Sequence, residues 1–153
     1  PEDVAWVVDV LNAMVEGVQA QIALHVCYGN RYGKPSWEGS YHFLFPRILD
    51  AHIDVLLLEF ARKGTDDLAL FRQYPNGFRL GMGVIDVKDT RVETPEEVAA
   101  LIRRGLEVVP AERLWLNPDC GLRHPPPAVA QAKLAALAQG AALVRAELLG
   151  TRP

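Results

Sequence analysis

The sequence is short of cysteine, of positive charge and of long apolar runs, and each shortage excludes something. Its two cysteines, Cys27 and Cys120, stand far apart in 153 residues. They are too few for a disulfide framework, so a metal or a catalytic role weighs as much as a bridge. Sixteen basic residues against nineteen acidic ones give a formal charge of -3 and a pI near 5.8. No basic excess exists to hold a phosphate backbone, and no nucleic-acid partner is expected. Apolar runs such as 55–58 fall far short of the roughly 20 residues that span a bilayer, and no charged-then-apolar leader opens the sequence, so no membrane partner is expected. A reducing cytoplasm is the compartment these features predict. What is present is the balance of a globular protein with a sizeable core, 50% hydrophobic and 23% charged residues.

The sequence reads as alternating helix and strand. Val4, Val7, Val8, Leu11, Met14 and Val15 recur at helical spacing, predicting a helix over 2–18. The short apolar segment 20–27 predicts a buried parallel strand ended by Gly29 and Asn30. A polar, aromatic loop over 31–39 leads to an expected helix over 40–51 and a second strand over 53–60. A short helix over 66–73, capped by Thr65, precedes a Pro75, Asn76, Gly77 turn and a strand over 79–87. Thr94, Pro95 and Glu97 form a capping-box signature for a helix running to about 109, where Pro110 stops it. A strand over 113–116 and a long alanine-rich helix from 125–127 to Gly150 complete four strands and five helices.

The fold class is therefore α/β, four βα units with parallel strands. Gly81 and Gly83 lie inside a strand and lack the third glycine of a dinucleotide-binding turn, so a doubly wound sheet has no phosphate signature here. Half of an eight-unit barrel fits as well. The sequence begins with proline and a helix, as though cut from something larger.

Each predicted strand ends in residues capable of chemistry, and parallel strands bring those ends to one face. His25 and Cys27 alternate onto the same side of the first strand, the second ends at Glu59, the third at Asp86, and the fourth runs into Asp119 and Cys120. One histidine, two cysteines and one carboxylate suit tetrahedral Zn²⁺, with thiolates setting the preference over Mg²⁺ or Ca²⁺. Glu59, a harder and more exchangeable donor, points to a coordination position that opens. Two thiolates and a carboxylate make the site formally anionic, poor at activating water and better suited to a thiol that then attacks an alkyl carbon.

The segments HVCYGN (25–30), LLLEFAR (56–62), GMGVIDVK (81–88), RVETPEEVAALIRRGLEVVPAERLW (91–115) and NPDCGL (117–122) together resemble the C-terminal catalytic domain of the cobalamin-independent methionine synthase family. The resemblance implies that residues 1–153 are the C-terminal half of a TIM (β/α)₈ barrel, an incomplete domain. It places the zinc ligands on His25, Cys27, Glu59 and Cys120. It further implies a methyltransferase that binds homocysteine through zinc, with displacement of the glutamate, and transfers a methyl group from a methylated folate to form methionine. Where folate-dependent members carry a histidine as proton donor, this sequence has Lys88 after Asp86 and Val87. With WEGSY (37–41), that departure is closer to the shorter relatives, including single-domain methionine synthases and epoxyalkane:coenzyme M transferase, so an alkyl transfer to another thiol is the alternative. A non-catalytic half-barrel, completed by the missing half or by a second copy, is another.

Asp86 is a candidate to orient substrate or take a proton, or else to cap the following turn through Thr90. Lys88 is a candidate proton donor or anion binder, or else an exposed loop lysine. Trp37 and Tyr41 are candidates to cover the substrate, or else to pack their loop against the barrel.

Overall fold

A computed structural model describes residues 2–74 and 77–151. Its single sheet has the order β1-β2-β3-β4, formed by Ala23–Val26, Val55–Glu59, Arg79–Ile85 and Leu114–Pro118, and every neighbouring pair is parallel. Helix α1 (Glu2–Val15) precedes β1; α2 (Ala69–Gln73), α3 (Pro95–Leu106) and α4 (Pro127–Leu149) follow β2, β3 and β4. The α/β class and the four parallel strands are as the sequence predicts. Pro75 and Asn76 of the expected turn lie outside the described residues.

The register sets strand ends side by side: His25 is level with Leu57, Glu59 with Gly83, and Gly83 with Asn117. β2 and β3, covered on both sides, supply Val55, Leu56, Leu58, Leu80, Met82 and Val84 to the core. β1 and β4 are the edges; β1 alternates between exposed and half-buried positions, and β4 is half-buried except at the exposed Trp115. At Gly83 an added Cβ would lie 2.9 Å from both Asp119 Cα and Leu58 O, so only glycine admits the approach of the loop after β4.

Two helical expectations are corrected. The segment 40–51 is not an α-helix but two 3₁₀ turns, Tyr41–Leu44 and Arg47–Asp50, divided by Pro46 after a cis Phe45–Pro46 peptide. Proline offers no N–H to the preceding turn, so a continuous ladder cannot pass through it. Four α-helices, not five, are thus formed among the described residues. Thr65 precedes the 3₁₀ turn Asp66–Leu68 without a side-chain cap bond. The apolar stripe of α1 is covered only in part: Val8 is buried, but Val7 and Met14 are 44% and 72% exposed, as is Trp6 beside them at 67%. No described helix is long and apolar enough to cross a membrane.

The capping box at α3 is present as read, with Thr94 accepting from Glu97 N and Glu97 accepting from Thr94 N. Helix α4 packs on α3 through Gly140, where a Cβ would meet Val98 and Pro95 O. On the same stripe of α4, three and four residues apart, lie Lys133, Ala136, Gly140 and Val144, all buried. Lys133 Nζ donates to Glu93 Oε2 at 2.9 Å and to Arg91 O, tying α4 to the loop between β3 and α3. Removing one member of a buried ion pair leaves its partner uncompensated. Lys133→Met should therefore lower unfolding free energy by about 3 kcal/mol in urea titration, and adding Glu93→Gln should recover part of it.

Candidate metal centre and cleft

His25, Cys27 and Cys120 come together, with one donor atom from each within 4.8 Å of the others. This convergence is not automatic, because β1 and β4 are opposite edges of the sheet. Three steps of about 4.8 Å would hold them about 14 Å apart in a flat sheet. Curvature of the sheet and the loops beyond it close that gap, and the two sulfurs stand 3.9 Å apart. The loops are joined directly: Asn30 Nδ2 donates to Gly121 O at 3.1 Å, and a His124 ring nitrogen lies 2.9 Å from Asn30 O.

The donor set fits zinc. Two thiolates about 2.3 Å from one tetrahedral zinc stand about 3.8 Å from each other, close to the separation found here. Partial burial lowers the His25 imidazole below its ordinary value, with Glu59 pulling the other way and Lys88 reinforcing the drop, which favours the neutral form a metal needs. Burial raises the Cys27 thiol, and neighbouring Cys120 and Glu59 add to the rise against a backbone N–H from Gly29. A cation is what this pair lacks.

Glu59 is not in that group. Its Oε1 instead accepts from Lys88 Nζ at 2.7 Å, with side-chain exposures of 2% and 0%. The reading of Lys88 as an exposed loop residue is thereby overturned: its stem runs inward to a buried acid. Asp86 does cap its own turn, but through Lys88 N at 2.8 Å rather than through Thr90, and its other oxygen lies 3.8 Å from Arg62 Nη1.

Trp37, Glu59, Arg62 and Asp86 line a cleft of about 1130 Å³ at the strand ends. Trp37 is 41% exposed, packs on Tyr28 at 4.5 Å between ring centroids, and forms a wall of the cleft. Tyr41 is sealed, at 0% exposure; its hydroxyl donates to Val26 O at 3.0 Å and accepts from Glu59 N at 2.9 Å. It braces β1 against β2 beside Cys27 and Glu59.

Asp119, read from the sequence only as part of a strand end, organises the loop after β2. Fully buried, it accepts from Phe60 N and Ala61 N through Oδ1 and from Arg62 N through Oδ2, each at 3.0 Å. Burial pushes its carboxyl up to about 6 despite those three donors. Lys63 and Asp67 were not foreseen either. Lys63 Nζ donates to Asp67 Oδ2 at 2.6 Å, to Tyr28 OH at 2.5 Å and to Gly39 O, while Asp67 also accepts from Ser40 and Tyr41 N, fastening the Trp37 loop to the sheet. Burial alone would raise Asp67, but these hydrogen bonds hold it below the usual carboxylate range. No spacing pattern announces such a cluster, whereas Asp119 adjoins Cys120 in the chain.

Fold and site define one class: a run of β-α units from a parallel α/β barrel, carrying at its strand ends a nitrogen-and-sulfur group that could hold a metal ion. A family described as "Cobalamin-independent synthase, Catalytic domain" matches residues 3–143. The chain belongs to the cobalamin-independent methionine synthase family. It is 39% identical over 147 residues to a methionine synthase of Saccharolobus islandicus and 35% identical to one of Sulfolobus acidocaldarius, in both cases over 96% of the chain. These alignments cover 41% and 40% of the two relatives, so the chain spans about two fifths of their length. A solved B12-independent methionine synthase from a Shewanella species, in complex with selenomethionine, superposes with a TM-score of 0.83 at 31% identity, over 95% of this chain and 44% of that one. A Listeria monocytogenes structure, 18% identical with a TM-score of 0.59, shares the fold.

Asp119→Ala should remove three hydrogen bonds to a charged acceptor and cost about 3 kcal/mol or more. Hydrogen exchange should show the amides of Phe60, Ala61 and Arg62 losing protection ahead of those of β3.

Proposed function

We propose that the chain is the zinc-bearing part of a methionine synthase that moves a methyl group onto the sulfur of homocysteine. The observation that carries this reading is the meeting of His25, Cys27 and Cys120 at the strand ends of a chain belonging to that family. These three residues would hold the zinc, with Glu59 as the exchangeable fourth donor. Zinc, when bound, supplies a position where a thiol gives up its proton at neutral pH and keeps the electron density to attack an alkyl carbon.

In the overall transfer a carbon–sulfur bond forms, the bond from methyl to its carrier breaks, and the thiol proton ends on the carrier. The adjoining cleft offers Trp37 as an apolar wall for a methylated folate or another methyl donor, and Asp86 as a carboxylate that orients the donor or takes a proton. Lys88 and Tyr41 work behind that surface, through Glu59. Lys88 in place of a histidine favours a second reading, transfer of an alkyl group from an epoxide to coenzyme M; comparing turnover of the two thiols by the complete protein separates them.

The domain assignment is part of the proposal: residues 1–153 are the C-terminal half of a barrel whose other half, or a second copy, covers the open β1 and β4 edges. The open edges, the exposed Trp6 and Met14, and the share of the relatives spanned all support it.

Cys27→Ser and Cys120→Ser in the complete protein should each lower bound zinc to below stoichiometric and methionine formation by at least ~100-fold, measured by metal analysis and product assay. Full zinc and full turnover in both variants would refute the assignment.

A further inference from the structure

The loop from Asp86 to Glu93 joins the end of β3 to α3 and carries a carboxylate that lines the cleft. It is held from within. Glu93 is almost wholly buried, and its two oxygens are divided: Oε1 accepts from Asp86 N at 2.9 Å, and Oε2 from Lys133 Nζ of α4 at 2.9 Å. Lys133, fully buried, donates also to Arg91 O, so an outer helix grips the same loop at two points. Asp86 in turn accepts from Lys88 N at 2.8 Å through Oδ1. Its Oδ2 accepts no hydrogen bond among the described residues and stands 3.8 Å from Arg62 Nη1, another residue of the cleft wall. Arg62 is itself fixed, by the bond from its amide to Asp119. One oxygen of Asp86 is thereby offered to the cleft in a set place.

A buried ion pair such as Glu93 with Lys133 adds little stability beyond what apolar side chains of the same size would give. What apolar side chains cannot give is an acceptor for Asp86 N. Without one, that amide has to turn toward another partner, and the carboxylate turns with it. We propose that Glu93, anchored by Lys133, is a positioning residue for the methyl donor: it fixes the backbone of Asp86 and so the place of the carboxylate that the donor meets. The inference rests on the reading of Asp86 given under Proposed function. Small displacements suffice for such an effect, since a shift of about 1 Å imposed from a distance can cost about 100-fold.

The test uses the complete zinc-loaded protein, with homocysteine and 5-methyltetrahydrofolate as probes. Two double variants, neither of which buries an unpaired charge, separate position from stability. Lys133→Met with Glu93→Leu removes the acceptor for Asp86 N, whereas Lys133→Met with Glu93→Gln keeps an oxygen there. The leucine pair should raise KM for the methyl donor about tenfold or more while kcat changes less than about threefold. Zinc content and KM for homocysteine should stay as in the parent, and the glutamine pair should match the parent throughout. Glu93→Asp keeps the ion pair but falls short of Asp86 N; it should raise the same KM, and it serves if the leucine pair does not fold. Asp86→Asn should raise donor KM by a similar factor, and adding the leucine pair to it should raise KM no further, because both act through one carboxylate. An unchanged donor KM in the leucine pair and in Glu93→Asp would overturn the proposal while leaving the role of Asp86 intact, and so would an equal rise in the glutamine pair. A donor KM unmoved by Asp86→Asn, or a parent that makes no methionine from this donor, would instead defeat the reading of Asp86, and the role of Glu93 with it.

Discussion

The structure depends on bringing together the ends of two strands that lie on opposite edges of the sheet. Parallel pairing alone aligns the strand ends in a row, and a row of four leaves the first and last far apart. A curved sheet, with loops that turn back over it, makes the row an arc. Small residues permit this: Gly81 sits where a side chain would strike Leu57, and Gly83 where it would strike the Asp119 loop. The hydrogen bond from Asn30 to Gly121 then joins loops from the two edges, and Cys27 and Cys120 meet beneath it.

Around this arc, buried carboxylates each have partners of their own. Asp119 is answered by three backbone N–H groups, Glu59 by Lys88, and Glu93 by Lys133. Such pairs add little net stability over apolar packing, because desolvation offsets most of the attraction. They do fix positions, since any displacement exposes an unpartnered charge. That is how a loop between β3 and α3 can be held from a helix on the outside of the sheet. The cysteine pair differs from the others in having no protein cation within its own group, consistent with a metal as its counterpart.

Much of this was legible in the sequence, for identifiable reasons. β2 up to Leu58 and β3 from Leu80 onward are apolar because both faces are covered, and the capping box of α3 is a local signal that needs no tertiary context. His25 and Cys27 share a side by strand alternation, and Cys120 follows a strand end. The misreadings came where tertiary structure overrides local pattern. Pro46 broke an otherwise helical segment, and Lys88 looked like a loop lysine because its acid lies 29 positions away. Lys133 was within reach: it falls on the stripe of Ala136, Gly140 and Val144, where a charge needs a buried partner. Which partner, Glu93, is set by the path of the loop and by no spacing in the chain.

The central claim is that His25, Cys27 and Cys120 are the ligands of one metal. It is tested most directly by anomalous diffraction at the zinc edge from crystals of the protein grown with zinc. The account predicts a single strong peak bounded by the two sulfurs and the His25 ring. A peak elsewhere, or a Cys27–Cys120 disulfide with no peak between them in crystals kept reduced, would contradict it.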